Sequence, residues 1–208
     1  MNIAVFVSGS GTNLQALLDA EKSGIIKSGR ITLVVSSKKG VYAIERAIAA
    51  EKNTAVVARK DFAGGDEHTD ALFQILDMHS IDLIVLAGYM SILTPRFIEK
   101  YRDCIINVHP ALIPSFCGKG FYGLHVHKAV LNYGVKLSGA TVHFVNEIPD
   151  GGAIISQKCV DVMHDDTPES LQKRIMEQAE WKLLPEAVEL FCSGRLEISG
   201  RKVIIKDK

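Results

Sequence analysis

The chain has 208 residues, 47% hydrophobic and 23% charged, the make-up of a globular protein with a substantial core and room for one large domain. Its 24 lysines and arginines balance 24 aspartates and glutamates, which excludes a general nucleic-acid or anionic-membrane binder. The longest apolar stretch, Ile81 to Leu93, is too short for a bilayer span. No basic segment precedes the first apolar run, which argues against a signal peptide and for the cytoplasm.

In chain order, β-branched runs at 2–8, 31–36, 54–58, 82–87 and 104–108 predict strands. Helical periodicity predicts helices near 12–23, 41–51, 66–79 and 94–101 between them. Such alternation implies parallel strands with right-handed crossovers, hence a doubly wound, mainly parallel α/β sheet of the Rossmann-like kind. Leu83-Ile84-Val85-Leu86 is apolar on both faces, as in a central strand covered from each side.

The first strand runs into Ser8-Gly9-Ser10-Gly11-Thr12-Asn13-Leu14. Glycines there let the backbone turn tightly around an anion, and the amides opening the next helix attract phosphate. Leu14 stands where a dinucleotide fingerprint wants its third glycine. Ser36-Ser37-Lys38 offers no acid for an adenosine ribose, and no Gly-Lys-Ser/Thr ending is present. The loop therefore favours a single phosphomonoester over NAD or ATP.

Beyond residue 110 the pattern changes. A glycine-rich loop, Ser115 to Gly123, leads to a helix near 124–133. Strands at 139–146 and 153–162 follow, joined through Pro149-Asp150-Gly151-Gly152, which predicts an antiparallel C-terminal extension. Thr167-Pro168-Glu169 starts a helix whose core face is Leu171, Ile175, Ala179, Leu183 and Ala187, with a kink expected at Pro185. Arg195 to Lys206 alternates about Ser199-Gly200 as a small hairpin, and Met163-His164-Asp165-Asp166 reads as a solvated approach to the helix that starts at Thr167. Cys104, Cys117, Cys159 and Cys192 share no close spacing, so neither a disulfide framework nor a zinc knuckle is expected. His125-x-His127 lacks further ligands at metal spacing.

Chemistry concentrates at the ends of apolar runs. Cys104-Ile105-Ile106 leads into Asn107-Val108-His109-Pro110, and Ser138-Gly139-Ala140-Thr141-Val142-His143 leads towards Asp150. A carboxamide donor, an imidazole and a carboxylate suit acyl transfer, where charge grows on a carbonyl oxygen while protons move. A carboxylate near His109 is expected to favour imidazolium and raise the ring's pKa. Pro110 holds His109 in extended backbone. Read alone, His109 is a capped strand end and Asp150 a turn residue.

Together with Leu86-Ala87-Gly88-Tyr89-Met90 and Gly123-Leu124-His125-Val126-His127, these motifs fall in the order of the phosphoribosylglycinamide formyltransferase family, which the chain resembles over nearly its whole length. The resemblance implies one formyltransferase domain over 1–208. Its phosphate-binding α/β half runs to 110, and a folate and catalytic half with the C-terminal hairpin runs from 111. It implies formyl transfer from 10-formyltetrahydrofolate, a co-substrate, to the glycinamide amine of a ribotide, with no metal and with small-molecule substrates only. Monomer and homodimer both stay open.

By resemblance, Asn107, His109 and Asp150 are catalytic, and Gly11, Thr12 and Asn13 hold the phosphate. Glu180 matches a ribose-binding acid. Met90, Ser91, Ile92 and Leu93 line the folate pocket with Asn107, and His143 supports the site through hydrogen bonding. The chain departs from the family pattern at Ser91, where many members have arginine, at Phe62-Ala63-Gly64-Gly65, which lacks one, and at Glu177, which adds charge near the ribotide. The long loop 115–121 brings Lys119, expected to swing towards the phosphate. The competing readings are a 10-formyltetrahydrofolate hydrolase and a non-catalytic folate or phosphate sensor. A tRNA formyltransferase would add a basic domain.

Overall fold

The computed structural model describes residues 1–207. They form two compact units, one from Met1 to Ile106 and one beginning at Asn107. Elements alternate through the first unit: β1 (Asn2–Val7), α1 (Thr12–Ser23), β2 (Arg30–Ser36), α2 (Tyr42–Ala49), β3 (Asn53–Val56), a 3-10 turn (Arg59–Asp61), α3 (Gly65–Met78), β4 (Leu83–Leu86) and α4 (Pro95–Lys100). Its strands are parallel in the order β3-β2-β1-β4. Ile3 to Val7 and Leu83 to Val85 are wholly buried, which accounts for their unbroken apolar sequences.

The chain steps outward from β1 to β3, then returns to place β4 on the other side of β1. At such a reversal the connections leave the carboxyl ends of the strands in opposite directions and open a crevice. Ser8, at the end of β1, ties the two sides together. Its Oγ accepts from the Met90 N–H at 2.8 Å and lies 2.5 Å from Ser37 Oγ.

β5 (Ile105–His109) contains the boundary between the units. The second unit continues with α5 (Leu124–Tyr133), β6 (Leu137–Phe144), β7 (Ile154–Asp161), α6 (Pro168–Ile175), a π-helical turn (Met176–Glu180), α7 (Trp181–Cys192), β8 (Leu196–Ser199) and β9 (Lys202–Ile205). The strand order is β5-β6-β7-β9-β8. β6 with β7 and β8 with β9 are antiparallel, as expected of the extension, whereas β9 joins β7 in parallel, with Ile154 opposite Lys202. The whole is a mixed α/β fold, mostly parallel with antiparallel strands towards its C-terminal end.

The helix starts follow their sequence signals. Thr94 Oγ1 accepts from the Phe97 N–H ahead of Pro95, and Thr167 forms a capping box with Ser170 ahead of Pro168. Leu171, Ile175, Ala179, Leu183 and Ala187 are all buried. In a straight α-helix a four-residue step overshoots a full turn by about 40°, so five such positions would spiral off one face. The π-turn in their midst is wider and winds part of that drift back. Pro185 lies inside α7, and the departure from α geometry falls one turn before it.

The segment before α6 is not simply solvated. His164 is exposed, but the Asp166 side chain is covered and accepts two hydrogen bonds from Arg174, at 2.6 and 2.7 Å, with a third from Ser170. These bonds hold the Asp166 carboxyl far below its ordinary range. The four cysteines are free thiols. Among the described residues no helix is long and apolar enough to cross a membrane.

Candidate active site

In the first unit the glycine loop joins β1 to α1 through Gly11, whose φ of 75° is left-handed. A Cβ there would also come within 2.7 Å of Ala43 Cβ, so any side chain is excluded twice. Gln15 N–H donates to the Gly11 carbonyl at 2.9 Å and opens the helix, and the amides of that first turn point out of its end. Arg46 donates from Nε to the Ser10 carbonyl and from Nη1 to Gln15 Oε1, both at 2.9 Å, adding a positive charge beside the loop. Nothing in the motif announced Arg46, which enters from α2.

After β4, Met90 and Ile92 are exposed, Ser91 is half-buried and Leu93 is buried. Phe62 to Gly65 carries no arginine of its own, yet Arg59 Nη1 donates to the Phe62 carbonyl at 3.3 Å. This arginine belongs to the preceding 3-10 turn.

The second unit gathers the three polar residues that the sequence singled out. β5 presents Asn107 and His109, and the turn after β6 presents Asp150. Thr141 fixes the intervening chain: its Oγ1 donates to the Ala111 carbonyl at 2.7 Å and accepts from the Ile113 N–H at 3.1 Å. Gly152 lets the turn close, since a Cβ there would lie 1.8 Å from the Phe144 carbonyl oxygen. Asp150 itself has a φ of 55°, a left-handed conformation that aspartate and asparagine tolerate better than most residues.

Hydrogen-bond partners fix the ring tautomers. His143 Nδ1 lies 2.7 Å from the Phe144 carbonyl, which only accepts, so Nδ1 carries the proton. Nε2 is then an acceptor, and the Asn107 amide donates to it at 3.1 Å. This orients the Asn107 amide and leaves its second hydrogen for an incoming oxygen. His109 Nε2 donates to the Phe116 carbonyl at 2.8 Å, while Nδ1 faces Asp150 Oδ2 at 3.5 Å. The exchangeable proton of His109 is therefore the one on Nδ1, next to the carboxylate. Gly118 N–H donates to the same Asp150 oxygen at 2.8 Å.

Burial raises Asp150, but the His143 and His109 rings in their charged forms, with the Gly118 N–H, hold it below the usual carboxylate range. His109 departs from expectation. Burial pushes its pKa down, outweighing the pull of Asp150 and of the Phe116 carbonyl. At 4% exposure, desolvation of the charged ring decides the sign.

The loop that supplies the Phe116 carbonyl and the Gly118 N–H carries its own strain. Phe116 has a φ of 51°, a conformation costing a non-glycine residue about 1–2 kcal/mol. Its ring meets Phe121 at 6.4 Å and Tyr133 at 5.8 Å, both edge-on. Such pairs contribute about 0.5–1.5 kcal/mol each, enough to offset the turn. Lys119, in the same loop, is exposed.

His127 was not singled out for this site. It is wholly buried on α5, and among the described residues neither ring nitrogen has a partner. Burial, helped by His109, lowers its pKa to about 4. His125 is exposed and meets Tyr122 edge-on, whereas His127 is buried, so the two histidines do not face one centre. Because His127 titrates near 6.5 when unfolded, the unfolded chain binds more protons between that value and about 4. Stability is thus full above pH 6.5 and falls as the pH drops through this window, by on the order of 3 kcal/mol. Urea denaturation at pH 7 and pH 4.5 checks this: His127→Leu should lose clearly less stability between the two than the parent chain.

Glu180 is buried, at 5% exposure, on the π-turn. Glu177 is exposed and lies 3.8 Å from Lys173, one turn earlier.

The formyl transferase family model matches residues 1–188. The chain is 40% identical over 206 residues to the phosphoribosylglycinamide formyltransferase of Haemophilus influenzae, spanning 99% of this chain and 94% of that one. It is 41% identical to the trifunctional purine biosynthetic protein adenosine-3 of Gallus gallus over 95% of its own length, but spans only 19% of that longer protein. Among solved structures, glycinamide ribonucleotide transformylase 1 from Symbiobacterium toebii superposes with a TM-score of 0.93 at 39% identity, covering 100% of this chain and 94% of that one.

Proposed function

The chain belongs to the formyl transferase family, and on that premise we propose that it moves a formyl group from 10-formyltetrahydrofolate to the glycinamide amine of 5-phosphoribosylglycinamide. The carrying observation is the linkage of carboxamide, imidazole and carboxylate within one unit: Asn107 to His143, and Asp150 facing both His143 and His109. In this reading the phosphate rests on Gly11, Thr12 and Asn13, with Glu180 at the ribose. Met90, Ser91, Ile92 and Leu93 are assigned to the folate, as is Asn107.

The amine attacks the formyl carbon directly, giving a tetrahedral species with an oxyanion and a positive nitrogen. The free hydrogen of the Asn107 amide donates to that oxyanion, an interaction worth about 10²–10³ in rate. Because burial keeps His109 neutral near pH 7, its first act is to accept a proton, at Nδ1, rather than to donate one. The Asp150 carboxylate stabilises the imidazolium so formed, which then protonates the departing folate nitrogen. No metal takes part.

The test is a turnover assay with ribotide and 10-formyltetrahydrofolate, run beside formate release. Formyl ribotide formed in step with folate consumption is the expected result. Formate release without ribotide formylation would make the protein a hydrolase, and no reaction at all would make it a binding protein.

A further inference from the structure

We propose that Tyr133 is a positioning residue for this reaction: its ring closes an aromatic clasp on Phe116 that holds the loop carbonyl against His109 Nε2. The inference rests on the proposed function for its consequence in turnover, but not for its structural content. Tyr133 is the last residue of α5 and is 79% exposed, so its ring buries little surface. Its ring nevertheless stands edge-on to Phe116, with centroids 5.8 Å apart and planes at 81°. Phe121 also meets Phe116 edge-on from within the loop, with centroids 6.4 Å apart and planes at 68°.

What the clasp holds is specific. Phe116 sits in left-handed backbone, and from that turn its carbonyl meets His109 Nε2 while the Gly118 N–H, two residues on, reaches Asp150 Oδ2. One short loop thus gives an acceptor to the imidazole and a donor to its carboxylate. The acceptor keeps the proton of the neutral ring on Nε2 and leaves Nδ1 bare towards Asp150, ready to take the amine's proton. Without Tyr133, one of the two pairs that offset the left-handed turn is gone. The loop then samples other conformations, and the neutral ring redistributes between its tautomers because Nδ1–H next to a carboxylate is electrostatically favoured.

Tyr133→Leu and Tyr133→Phe separate this role from simple packing. In ligand-free protein with ¹⁵N-labelled histidine, the nitrogen shifts of His109 report its tautomer directly. The parent chain and Tyr133→Phe should show Nε2–H, and Tyr133→Leu should show a mixture. In turnover, Tyr133→Leu should lower kcat about tenfold, a fraction of the 10²–10⁴ a positioned acid–base group contributes, with ribotide KM within about twofold. The acidic limb of its kcat–pH profile should move, and Tyr133→Phe should restore both. Identical His109 shifts in all three proteins would overturn the proposal whatever the enzyme's substrate. A parent protein inactive on the ribotide but showing the tautomer change would overturn the proposed function and leave the clasp standing.

Discussion

Asp150→Asn lowers turnover by about 10²–10⁴-fold, the range a positioned acid–base group contributes, with the denaturation midpoint nearly unchanged. Asparagine matches aspartate in volume, accepts the left-handed φ of 55° and keeps an oxygen for the Gly118 N–H. It lacks the charge that stabilises a proton on His109 Nδ1, 3.5 Å away. Since Asp150 raises the His109 pKa against the larger effect of burial, its loss lets that pKa fall further. The acidic limb of the kcat profile should therefore move to lower pH as the plateau drops. Steady-state rates from pH 5 to 9, with urea curves alongside, test both parts. Near-normal turnover would remove Asp150 from the mechanism.

Gly152→Ala is expected to damage both fold and site. Its Cβ would fall 1.8 Å from the Phe144 carbonyl oxygen, a backbone atom with no rotamer to escape into. Relieving the overlap means separating the turn from the end of β6, where Phe144 N–H donates to the Ala153 carbonyl at 2.9 Å. Overpacking of this kind costs about 1–3 kcal/mol, more where the clash is with backbone. The Phe144 carbonyl also accepts from His143 Nδ1–H, and His143 in turn orients Asn107, so the folded fraction should also turn over more slowly. A denaturation midpoint within error of the parent would mean that the turn yields freely and that the glycine has another purpose.

Local pattern carried most of the architecture. The helices expected over 12–23 and 124–133 have those bounds, and the strands fall within two residues of expectation, because apolar periodicity and caps act over short range. Asn107, His109 and Asp150 could be named because each ends an apolar run in an ordered series of motifs. What stayed hidden depends on elements far apart in sequence. The sign of the His109 shift follows from how completely other segments cover the ring, and periodicity does not report coverage. Asp166 looked solvated because the Arg174 that buries it lies two turns along the next helix. His127 passed for half of an abortive metal pair, whereas its surroundings come from the fold. Arg46 reaches the glycine loop at Ser10 from 36 residues further along the chain.

The widened turn at Met176–Glu180 also bears on how this chain tolerates change. It fits one more residue between two anchored apolar faces than α geometry would accommodate there. Exchanging Glu177 or Gln178 for stronger α-formers leaves that surplus in place, since composition does not alter the count. Removing a single residue does alter it: the surplus goes and the turn can close to α geometry with α7 still facing as before, whereas adding one would swing α7 by roughly a quarter-turn or more against its neighbours. The segment is thus permissive to replacement and to the loss of one residue, and intolerant of lengthening, which would carry Glu180 away from its inward station.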